Sequence, residues 1–222
     1  MTKTIKLPVK PAKTTIKLPA KVATNPAIKP ATSQSKTTKA PAKFAQIAPK
    51  LSELHLKTDS LSYSLIGAAE AITMVLNGIA LPQALAKLFS TSEVAPAHRG
   101  AIQDLSYRTM RQVGRVDALI SAMTTKAPEP ALLYSLLCCA LALIVEEDTA
   151  LHPYSEFTVV DQAVNAAAAH PDIAHAKNMV NALLRRFLRE RQDLLETVMK
   201  LPTARWNYPQ WWIDACKAAY PV

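Results

Sequence analysis

NMVNALLRRFLRERQDLL at 178–195 places Val180, Leu183, Leu184, Phe187 and Leu188 at steps of one, three and four residues. That spacing gathers the apolar side chains on one face of an α-helix. Arg185, Arg186, Arg189 and Arg191 fall around the edge of that face. The stretch therefore predicts a long amphipathic helix with an apolar stripe toward a core and guanidinium groups fanned over its rim. Shortly afterwards, ARWNYPQWWIDACKAAYP at 204–221 gathers Trp206, Trp211 and Trp212 beside Tyr208 and Pro209. Proline fits the opening of a helix, where its missing N–H removes no internal bond. A junction and a new helix are expected there. The aromatic residues either pack that junction or stack, with Arg205, on bases.

The same helical period extends upstream. LSYSLIGAAEAITMVLNG (61–78) puts Leu61, Leu65, Ala69, Ile72 and Leu76 on an inner face, with Asp59 or Ser60 as cap and Gly78 as stop. Further helices are expected at about 82–89, 96–112 (Ile102, Leu105, Met110, Val113 inward), 115–124, 157–169 and 174–199. The last is expected to break near Arg191, and Gly114 to separate the third helix from the fourth. Arg99, Arg108, Arg111 and Arg115 form a second arginine group along the third helix. ALLYSLLCCALALIV (131–145) is the most apolar run. A span of the bilayer needs about 20 residues, so this shorter run reads as a buried central helix. Glu146, Glu147 and Asp148 mark its exit into a loop. No alternating strand pattern of useful length occurs, and the expected fold class is all-α.

Charge is distributed unevenly. Residues 1–58 hold twelve lysines and one acid, Glu53, a net +11. The remainder holds fourteen Lys and Arg against sixteen Asp and Glu, a net −2. The first stretch is rich in Lys, Pro, Thr and Ala, repeats TIKLP at 4–8 and 15–19, and has Phe44 as its one aromatic residue. Such a composition buries too little surface to offset the entropy of ordering, and it predicts a disordered basic tail. That tail reads either as a sequence-blind polyanion binder or as a solubilising extension. Three segments are expected: the tail at 1–58, a helical domain at 59–201, and the Trp-rich junction at 202–222.

Several function classes are disfavoured. The four glycines, Gly67, Gly78, Gly100 and Gly114, form no clustered turn able to bring backbone amides to phosphate. Cys138 and Cys139 are helical neighbours and Cys216 is remote, so reduced thiols in a cytoplasmic protein are expected. His170 and His175 flank a loop without a third ligand and read as surface loop residues. No nucleophile turn surrounds any serine. No catalytic residue, metal site or cofactor site is assigned within the chain. The arginines Arg185, Arg186, Arg189 and Arg191, with Arg108, Arg111 and Arg115, are the candidate RNA contacts, because guanidinium groups keep their charge and grip phosphate bidentately. The competing reading is a solvated face paired with Glu190, Asp193 and Glu196.

TVVDQAVNAA (158–167), KNMVNALLRRFLRER (177–191) and RWNYPQWWIDACKAAYP (205–221) resemble the Sun/Fmu family of bacterial 16S rRNA cytosine-C5 methyltransferases. The first two segments also resemble the wider NusB family of transcription antitermination factors. RGAIQDLSYRTMRQVGRVDALI (99–120) is similar to the third and fourth helices of that family. The resemblance implies a NusB-like domain of two small helix bundles that contacts RNA and protein. In that methyltransferase family a separate domain follows, which binds S-adenosylmethionine and carries the catalytic cysteines. The chain ends before any match to it, so the expectation is recognition without catalysis. The implied partners are ribosomal RNA, and either a ribosomal protein or a separate methyltransferase domain, with no membrane. The arginine-rich first helix implied by NusB reads LSYSLIGAAEAI here, without a basic residue.

Overall fold

The computed structural model describes residues 49–146 and 154–220. The expected basic tail lies outside them except for its last ten residues, as do Glu147 and Asp148. The described residues form helices α1 (Leu61–Leu76), α2 (Leu81–Thr91), α3 (Pro96–Arg111), α4 (Val113–Met123), α5 (Ala131–Ile144), α6 (Glu156–Ala169), α7 (Lys177–Val198), α8 (Pro202–Trp206) and α9 (Gln210–Ala219), with no strand among them.

Local chemistry sets the ends of α1. The Ser60 side chain accepts a hydrogen bond from the Tyr63 N–H at 3.2 Å, which satisfies one of the free amides of the first turn. At the other end Gly78 adopts φ 93°, its N–H donating to Val75 O and that of Ile79 to Met74 O. This wrap ties down two terminal carbonyls and needs the left-handed conformation that glycine tolerates.

The apolar run at 131–145 becomes α5, whose residues from Leu136 to Ile144 are all buried. It packs against α1, α3, α4, α6 and α7. Helices α1 and α6, both packed on this central apolar helix, also pack on each other. Every residue of α1 from Leu61 to Ala69 is buried, because neighbouring helices surround it. Phe187, Leu183, Leu184 and Val180 of α7 are buried along the predicted stripe. The backbone leaves helical geometry at Glu190 (φ −109°, ψ 17°), one residue before the expected break.

Four expectations are corrected. Leu51 and Leu54 are buried in the core, and the Leu51 N–H meets Ser92 Oγ at 3.4 Å. The boundary expected at residue 58 therefore falls inside the folded unit, because two leucines in the Lys-Pro-rich stretch find apolar partners. Leu76 is exposed rather than inward, since the last turn of α1 runs past its neighbours. His170 is buried, not a surface residue, with its Nδ1 accepting from the Asp172 N–H at 3.3 Å. Burial lowers its pKa, an effect that Asp172 opposes.

Gly114 is the fourth. It does not separate α3 from α4, a role that falls to Gln112, and instead lies in the first turn of α4. A Cβ there would stand 2.3 Å from the Thr203 carbonyl oxygen and 3.1 Å from Asn207 Cα. The missing side chain is what lets α8 approach α4. Asn207 follows α8 in the left-handed conformation (φ 55°), which asparagine tolerates better than most residues. Its Oδ1 accepts from the Arg115 N–H at 2.9 Å. One helix turn thereby caps the start of another that has no side-chain cap of its own.

Candidate nucleic-acid interface

The two arginine groups meet at the C-terminal end of α5. Arg191 of α7 donates to the Ile144 carbonyl at 3.2 Å and pairs with Glu156, while stacking over Phe187 with 5.4 Å to the ring centre. Arg115 of α4 reaches Glu146 at 3.8 Å, and Gln112 donates to the same carboxylate at 3.0 Å. A cation near the last turn of a helix complements its free carbonyls and dipole, so α5 draws both arginines to its end.

The seven candidates divide by exposure. Arg191 and Arg115 keep only 14% and 19% of their side chains exposed. Arg186 ties α7 to α4, donating from Nη1 to Met123 O at 3.1 Å and from Nε to Glu190 at 2.9 Å. Glu190 thus takes the role foreseen in the solvated-face reading, but for one arginine only. Arg108 is half-buried, its Nε without a hydrogen-bond partner. Arg111, Arg185 and Arg189 are exposed. Arg185 is braced by Asn181 Oδ1 at 2.9 Å, one turn earlier on the same face. Arg115, Arg186 and Arg191 therefore sit in position to hold helices together, Arg108 stays half-buried, and three have guanidinium groups in solvent.

The junction adds an aromatic surface. Trp206, Tyr208 and Trp211 are 57%, 50% and 69% exposed, and Trp212 and Tyr220 are exposed beside them. Tyr208 stacks on Trp212 with 4.3 Å between ring centres, and Arg205 lies over Trp206 at 5.2 Å. Only Ala204 and Ile213 of α8 and α9 are buried. A cleft of about 540 Å³ separates this turn from α1, α2 and α3, lined by Tyr107, Met110, Arg111, Trp206 and Tyr208 among others.

The thiols lie elsewhere. Cys138 and Cys139 are buried in α5, and burial pushes the Cys139 thiol up to about 12 and that of Cys138 up as well. Both stay protonated and act as small apolar side chains. Among the described residues no helix is long and apolar enough to cross a membrane.

Sequence reasoning missed Asn207, Glu156 and the partner role of Glu146. Only Asn207 carried a signal, an asparagine between a short helix and a Tyr-Pro pair, where a left-handed residue fits.

The architecture defines a class: an all-α module in which helices pack around a central apolar helix and display arginines at its rim. Residues 68–189 match the NusB family profile, 122 of the 222 residues, and the chain belongs to that family. It is also similar to curated proteins. Ribosomal RNA small subunit methyltransferase B of Pasteurella multocida is 29% identical over 124 residues, which is 54% of this chain and 26% of that protein. A probable ribosomal RNA small subunit methyltransferase B of Coxiella burnetii is 28% identical over 152 residues, 67% of this chain and 34% of that protein. The methyltransferase B of Pseudomonas putida is 30% identical over 163 residues, covering 70% and 35%. The chain thus spans between a quarter and about a third of the length of these relatives.

Proposed function

We propose that this NusB-family chain binds ribosomal RNA, with Arg111, Arg185 and Arg189 as its phosphate contacts. The carrying observation is the division among the arginines: these three are exposed, Arg185 and Arg189 on the α7 that Arg186 and Arg191 fasten to α4, α5 and α6, and Arg111 at the end of α3. A rigid cationic edge meets phosphate with little ordering cost. Arg115, Arg186 and Arg191, which the sequence reading placed among the contacts, act here as positioning residues, and the half-buried Arg108 is set aside as a contact. Target recognition of this kind belongs in the cytoplasm and serves either rRNA modification or regulation of transcription by antitermination.

The test is fluorescence polarisation with a labelled rRNA hairpin at several salt concentrations. Replacing Arg111, Arg185 and Arg189 together by Ala is expected to weaken binding about tenfold or more, and to reduce the slope of log affinity against log salt by about 2 to 3, from 0.7–0.9 per phosphate lost. Unchanged affinity and slope sink the reading. Unchanged RNA affinity with loss of a co-purifying ribosomal protein favours a protein-binding module instead.

A second reading rests on the aromatic surface. Exposed apolar patches of this kind mark interaction sites. Relatives about twice as long, named as rRNA methyltransferases, supply a candidate occupant: the remaining, cofactor-binding part of such an enzyme. In this reading the chain is the recognition part and the cofactor belongs to the partner domain. Adding the remainder of the Pseudomonas putida relative is expected to blue-shift the emission of Trp206, Trp211 and Trp212 as they leave water. Emission that stays put counts against that assembly.

A further inference from the structure

Glu70 is an outlier in the core of the fold. It lies on α1 between Ala69 and Ala71, both fully buried. Its Oε1 is buried and has no hydrogen-bond partner. It lines a cavity of about 430 Å³ bounded by α1, the end of α2, the start of α5 and the turn after α6. Met74, Leu132 and Pro49 give that cavity apolar walls.

The lining hydroxyls do not relieve the carboxylate. Thr73 Oγ1 is engaged with the Ala69 carbonyl at 2.8 Å and with Ser135 Oγ at 2.9 Å. Thr91 Oγ1 donates to Lys87 O at 2.9 Å, and Ser92 Oγ receives the Leu51 N–H. His170, also on the wall, has its pKa lowered by burial, which disfavours its charged form. Lys50, the one lining cation, lies 3.9 Å from Glu93 and is half exposed. Asp172 adds a second carboxylate to the lining. With its one lysine turned toward Glu93 and two carboxylates in the lining, one of them unpartnered, the cavity has the wrong charge for an anion and no cation paired with Glu70.

We propose that this cavity is a binding site for a primary ammonium group on a short alkyl chain, with Glu70 as the ion-pair partner and the Met74–Leu132–Pro49 wall receiving the methylenes. Neither the arginine edge nor the aromatic surface takes part, so the site is independent of the RNA reading. The carboxyl of Glu70, raised by burial to about 7, is poised to release its proton when a cation arrives. Tyr63, whose own pKa is raised by burial and by Glu70, is the remaining titratable neighbour.

The test is calorimetric titration of the full chain with 1,4-diaminobutane at pH 8 and pH 5.5, with 1,4-butanediol as the neutral isostere. Saturable binding is expected at pH 8, at least tenfold weaker at pH 5.5 and in Glu70→Gln, and absent for the diol. A carbon-13 NMR titration should show the Glu70 carboxyl midpoint moving down when the diamine is present. The same titration with N-acetyl-lysine methylamide separates the sources: tighter binding than the diamine assigns the ammonium to a partner's lysine, weaker binding to a free amine. No saturable heat at pH 8, equal binding of the diol, or equal binding by a Glu70→Gln protein that melts normally overturns the proposal.

Discussion

Phe187→Ala is expected to remove about 3–5 kcal/mol of stability, the usual range for emptying a fully buried aromatic site. Phe187 has no solvent exposure and lies among the largest fully buried side chains. It sits at the centre of the α7 stripe between Leu183, Leu184 and the kink at Glu190, where α7 meets α4, α5 and α6. Helices on three sides cannot all close on the space left by a ring, so the cavity term adds to the lost transfer energy. The ring also supports the Arg191 guanidinium, whose bond to Ile144 O and pair with Glu156 fasten α7 to α5 and α6. A loss of this size is a large share of the roughly 5–15 kcal/mol that holds a domain folded. Urea unfolding measures it. A loss below about 1 kcal/mol means that α7 repacks freely and that its arginine edge is not rigid.

Glu70→Gln should have the opposite sign, and only at high pH. Burial raises the folded-state pKa of Glu70 from 4.5 to about 7. The folded chain therefore holds a proton that the unfolded chain has lost between those values. A carboxyl raised in this way leaves stability intact below the unfolded pKa, and costs progressively more as pH climbs through the folded one. Once fully ionised, the cost is roughly 3 kcal/mol, from about 1.4 kcal/mol for each unit of displacement. Glutamine keeps the shape and never ionises. The variant should match the parent at pH 4 and exceed it by up to roughly 3 kcal/mol at pH 8, in denaturant melts without added amine. Equal stability at both pH values shows that water reaches the carboxylate and that its burial carries no penalty.

The helical class and most helix positions were legible because they depend on local periodicity. Ser60, Gly78 and the stripe Val180–Leu183–Leu184–Phe187 act through neighbours within four residues, and the structure places them as the spacing requires. The apolar run at 131–145 was legible as α5 for a similar reason, since no other element is apolar enough to sit at the centre. Leu51 and Leu54 escaped because their partners are remote and their own surroundings read as low complexity.

What the sequence determined alone was an all-α fold, its NusB-like pattern and the presence of two arginine groups. Which arginines face solvent was decided by tertiary structure, because the groups that capture Arg191 and Arg186 lie 35 to 63 positions away in the chain. Gly114 and Asn207 belong to the same category, since one accommodates and the other caps an element about ninety residues distant. So does Glu70, which reads as an ordinary helix former until the packing of α2, α5 and the His170 turn closes around it. Periodicity specifies which face of a helix turns inward, but desolvation and charge pairing depend on what arrives at that face from elsewhere in the chain.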